Sequence, residues 1–60
     1  MDAREHAVVW RRASEILSER IEKMVKNERA PEVIAATLAA AELANAVAKG
    51  YWAEAENAPD

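Results

Sequence analysis

Between Ala3 and Ala30 this chain has neither glycine nor proline, and from Pro31 onward only Gly50 interrupts a second run that reaches Pro59. Most residues of both runs are strong helix formers, so the break at Pro31 divides sixty residues into two long helices. Asp2 and Glu5 have the spacing of a capping box, in which Asp2 accepts from an early backbone N–H and Glu5 reaches back. That starts a first helix at Ala3. Pro31 disfavours the α conformation at Ala30 and suits the first turn of a new helix, where Glu32 complements the helix dipole. The expected layout is a first helix over about 3–28, a turn at 28–30, a second helix over about 31–56 and a short acidic tail. So short a turn makes the helices antiparallel neighbours. Gly50 also fits a helix C-terminus. Ile34, Leu38, Ala41, Asn45, Ala48 and Trp52 alternate by four and three, however, and Trp52 keeps that series only if the helix passes through Gly50.

On the first helix Ala3, Trp10, Ala13, Leu17, Ile21 and Met24 share one face, with Ala7, Ile16 and Val25 at its margins. Arg4, Arg11, Arg12, Glu15, Glu19, Glu22, Lys23 and Lys26 gather opposite, an ordinary amphipathic arrangement. Glu19 with Lys23 and Glu22 with Lys26 are favourable (i, i+4) pairs, and Glu15 with Glu19 is not.

The second helix is different because it has two apolar seams. Beside the series already named runs Val33, Ala36, Ala40, Leu43, Val47 and Tyr51, turned roughly 120–140° away, with Thr37 and Ala44 between them. A helix in a lone hairpin touches one neighbour, so one seam is left facing water. Composition sharpens the problem, since hydrophobic residues make up 52% of the chain but fifteen of them are alanine. A chain this short, with no Cys for disulfides, is marginal as a lone folded unit. The expected fold is therefore an all-α antiparallel helical hairpin in a single domain, two copies of which form a four-helix bundle. Leu17, Ile21, Met24, Ile34, Leu38, Leu43, Asn45 and Val47 are its candidate core and dimer residues. Folding the hairpin about residue 29 places Ser14 beside Asn45 as a buried polar layer, Trp10 beside Ala48 and His6 beside Trp52.

Little in the chain points to catalysis or cofactors. One His and no Cys supply at most a single soft ligand, so neither metal nor cofactor is expected. Ser14 lies two turns from His6, too far for a nucleophile and its base on one helix, and Glu15 and Glu19 stand on a solvated face. There is no glycine-rich phosphate loop. No run of about twenty uninterrupted apolar residues occurs, and Asp2, Arg4, Glu5 and His6 occupy the region that a signal peptide keeps apolar. The expectation is a cytoplasmic, non-enzymatic protein without a membrane partner.

Trp10, Tyr51 and Trp52 are the only aromatic residues, and the antiparallel layout brings all three to the open end of the hairpin beside His6. One reading has the rings plugging the end of the core. The other has Trp10, Tyr51, Trp52, His6, Arg11, Arg12 and Val8 forming a contact site for another protein, because aromatic and arginine side chains dominate binding hot spots. The resulting expectation is a small dimeric regulator or inhibitor, of a size common among phage- or plasmid-borne proteins, that acts by binding a protein whose identity the sequence does not reveal. An RNA-binding dimer using the basic row Arg4, Arg11, Arg12, Lys23 and Lys26 is one rival, although acids are interleaved and the net charge is −3. A structural subunit of a hetero-oligomer is the other. The layout is similar to that of the small plasmid RNA-binding regulators of the Rop type, an architectural similarity without a shared motif, so no residue role is carried over.

Overall fold

The computed structural model describes residues 1–57. Two helices, α1 (Ala3–Lys26) and α2 (Pro31–Glu56), pack antiparallel into a hairpin 49 Å long and 14 Å across. The acidic tail and the stop at Pro59 lie outside the described residues.

Asp2 caps α1, its Oδ1 accepting from the Glu5 backbone N–H at 2.8 Å. The reciprocal bond from Glu5 to the Asp2 backbone is absent among the described residues, so half of the expected box forms. The other end falls at the near limit of the expected range, about residues 26–28. α1 stops at Lys26, because Glu28 adopts a left-handed φ of 53°. Around it the Arg29 N–H donates to the Met24 carbonyl at 3.0 Å and the Glu28 N–H to the Val25 carbonyl at 3.2 Å. This is the paired closure of a Schellman motif, usually built on glycine. Pro31 opens α2 as its first helical residue, with Glu32 in the first turn and no side-chain cap from Ala30. The helix runs unbroken through Gly50.

The packing seam of α1 runs through Ala3, Ala7, Ser14, Leu17, Ile21 and Met24, each buried or half-buried. On α2 the seam is Ile34, Thr37, Ala41, Ala44, Ala48, Tyr51 and Ala55. It keeps Ile34, Ala41 and Ala48 of the first seam expected from the sequence but is turned towards the second, taking in Thr37, Ala44 and Tyr51 in place of Leu38, Asn45 and Trp52. Seating alanines against α1 allows the backbones to come close, while the larger side chains project to either flank. Consequently the only fully closed positions among the described residues are alanines: Ala7, Ala41, Ala44 and Ala48. Leu17, Ile21, Met24, Ile34 and Val47 are half-buried, whereas Leu38, Leu43 and Asn45 are exposed. The expectation that Leu38 and Asn45 pack against α1 is corrected by this rotation of α2, whereas Leu43 belonged to the seam expected to face away from α1.

The polar layer is corrected with it. Ser14 donates to the Ala41 carbonyl at 3.1 Å, a bond between the helices that leaves Asn45 at the surface. Thr37, which faces the seam, returns its hydroxyl to the Val33 carbonyl of its own helix at 2.8 Å. Each hydroxyl is therefore satisfied by backbone, and neither needs Asn45.

Candidate interaction surface

A groove near the turn shows which flanks of the two helices share a side. It is lined by Leu17, Arg20 and Met24 of α1 and by Val33, Ala36 and Ala40 of α2. Continuing from it at helical spacing, α1 presents Ile16, Ala13 and Val9, and α2 presents Leu43 and Val47. Leu43 is 66% exposed, with Val9, Ile16 and Val33 also open to solvent. The opposite side of the hairpin carries Arg4, Arg11, Ser18 and Glu22 from α1 and Glu42, Asn45, Lys49 and Glu56 from α2, with Leu38 and Val25 as its apolar exceptions. The hairpin is thus two-sided, one face mostly apolar with Arg20, Glu32 and Glu54 as its charged exceptions, the other polar.

Val9 and Ile16 belong to this face, yet the single-face reading of α1 left Val9 unplaced and put Ile16 at a margin. The signal was present as a second series, Val9, Ala13, Ile16 and Arg20, spaced by four, three and four.

At the open end, His6 stacks on Tyr51 with ring centroids 4.7 Å apart and planes 15° apart. The sequence register paired His6 with Trp52; rotation of α2 puts Tyr51 there instead. Tyr51, Trp52 and His6 are half-buried and Trp10 is 39% exposed, so the rings partly close the end of the hairpin and partly remain available. Val8 lies in the open on the outer side of α1. Arg11 and Arg12 both lean on Glu15: Arg12 Nη1 donates to Glu15 Oε2 at 3.2 Å, and Arg11 Nε lies 3.7 Å from Glu15 Oε1. These are the ion pairs formed among the described residues, in place of the expected Glu19–Lys23 and Glu22–Lys26 pairs. Both are solvent-exposed and add little to stability.

Among the described residues no group of three His, Asp or Glu side chains is placed to hold a metal ion. By length and composition α2 is long and apolar enough to cross a membrane, and little of it is buried against α1. Counting uninterrupted apolar runs misses this, because Glu32, Thr37, Glu42 and Asn45 break every run. No protein-family model, no curated protein and no solved structure matches the chain.

Proposed function

We propose that this chain is a non-enzymatic helical protein that self-associates into a four-helix bundle and acts by binding another protein, as a small cytoplasmic regulator or inhibitor. The observation that carries this reading is the continuous apolar face on a hairpin whose only closed positions, among the described residues, are alanines. A two-helix unit cannot cover that face itself, and apolar surface of this extent marks an interaction site. The open end supplies the second contact, with Trp10 and the Tyr51–Trp52 pair on the same end as His6, which stacks on Tyr51, and with Val8, Arg11 and Arg12 around the outside of α1 at that end. Such side chains offer large rigid contact area beside charge.

Two features weigh against the other partners. Glu15 engages both Arg11 and Arg12, which reduces the charge the basic row offers to phosphates. A bilayer would have to take Glu42 near the middle of α2, and a charged residue at a helix centre costs about 2.5–3.5 kcal/mol on insertion scales.

The protein-binding role is tested by affinity capture from cells of the encoding organism with the intact chain, its Trp10→Ala and Tyr51→Ala variants, and Val25→Ala as a control on the polar side. A stoichiometric protein held by the intact chain and the control, but lost with either aromatic variant, is the expected result. Capture that is indifferent to both substitutions overturns the role of the open end. Retention of RNA at low salt, abolished by Arg11→Glu with Arg12→Glu, would replace this reading with a nucleic-acid one.

A further inference from the structure

We propose that the apolar face takes a second copy of this chain with both turns at the same end, so that each α1 lies over the partner's α2. This rests on the self-association proposed above and adds the face, the occupant and the orientation.

The area fits one further copy. The chain exposes 4756 Å² at 6.6 kDa, whereas a compact monomer of that mass exposes about 3,900 Å² by size scaling. The excess, roughly 900 Å² over the whole of the elongated hairpin, is the surface that association has to remove for a compact body, and it is of the size of the roughly 800 Å² that each partner buries in a standard interface.

Orientation follows from symmetry and side-chain volume. A closed two-fold axis running along the helices involves no translation, so residues level with each other within one hairpin are also level across the dimer. The levels are set by Ser14 bonded to Ala41 and His6 stacked on Tyr51. They place Leu43 opposite the partner's Ala13, Ile16 opposite the partner's Ala40, and Val47 opposite the partner's Val9. In the first two layers a large side chain meets a small one, as close packing requires. With the turns at opposite ends α2 would lie along α2, and a two-fold axis at the level of Leu43, which centres the two faces on each other, brings Leu43 onto Leu43 and Ala36 onto Gly50.

Charge selects the same arrangement. α1 carries six basic and four acidic side chains, and α2 one and four. Turns at the same end stack helices of opposite net charge and bring Lys23 level with the partner's Glu32, an attraction set against one like-charge level at the open end, Glu54 with the partner's Asp2. Turns at opposite ends stack α2 on α2 and place Glu32 level with the partner's Glu54, a like-charge contact made twice.

The native chain has no cysteine, so disulfide trapping has no background. An equimolar mixture of Ala13→Cys and Leu43→Cys chains, oxidised under mild conditions, should give predominantly the mixed covalent dimer, one chain of each variant, by mass spectrometry. Leu43→Cys alone should give little. Sedimentation of the uncrosslinked chains accompanies the trapping. Efficient crosslinking of Leu43→Cys alone overturns the orientation while self-association stands. A dimer without either crosslink overturns the face. A folded monomer overturns both this inference and the reading beneath it, and a monomer that floats with phosphatidylcholine vesicles assigns the face to lipid.

Discussion

Glu28 holds a conformation that costs an L-residue about 1–2 kcal/mol, because its Cβ crowds the following carbonyl. It also places a carboxylate just beyond the negative end of the α1 dipole. Nothing in the described contacts of Glu28 offsets these costs, so the turn is held by the Schellman hydrogen bonds alone. Glu28→Gly is therefore expected to stabilise the protein by about 1 kcal/mol, less than the full strain because glycine also gains freedom in the unfolded chain. In a domain this small that is a rise in Tm of about 4–8 °C, read by circular dichroism. An unchanged or lower Tm would show that the turn is not strained as described. Ser14 and Asn45 illustrate the limit of pairing residues by type. Both are polar and fall at nearby levels, but a serine hydroxyl on a seam finds a backbone carbonyl without needing another side chain.

At the scale of elements, the helices were legible because their boundaries are chemical. Pro31 and the Asp2 cap mark where helices start, and the antiparallel hairpin follows from the short turn between them. The end of α1 was less legible, since Glu28 takes a place that glycine usually announces. The rotation of α2 was legible only in part: Ile34, Ala41 and Ala48 do face α1, but their neighbours in the seam are Thr37, Ala44 and Tyr51. Alanine occurs on every side of that helix, so hydrophobicity does not distinguish the seam through Thr37 and Ala44 from its two neighbours; only the size of side chains does, and that acts through packing. The same rotation explains why His6 was paired with Trp52 instead of Tyr51. For the candidate site, the aromatic open end was readable from the antiparallel fold, whereas the α1 half of the apolar face was not assembled from its residues. Gly50 tests the continuity of α2 directly. It is helical and a Cβ built there meets nothing within 4 Å. Gly50→Ala should raise stability by about 0.8–1.0 kcal/mol, the difference in helix propensity, in a denaturant titration. A loss of stability would place Gly50 in a contact or a kink that this helix does not have.

For the molecule as a whole, the hairpin is an incomplete object. Alanines close its seam, larger apolar side chains flank it, and several on one flank, Val9, Ile16, Val33 and Leu43, stay largely open to solvent. A second copy covers that flank and turns two thin layers into a bundle with an interior. Leu43 is therefore expected to work between chains and Leu38 not, although both are exposed leucines on the same helix. Sedimentation equilibrium at micromolar concentration is the most direct test. The intact chain and Leu38→Lys should sediment at twice the 6.6 kDa chain mass, while Leu43→Lys weakens the dimer at least tenfold. A helical, folded intact chain that stays at 6.6 kDa across the concentration range would contradict the account.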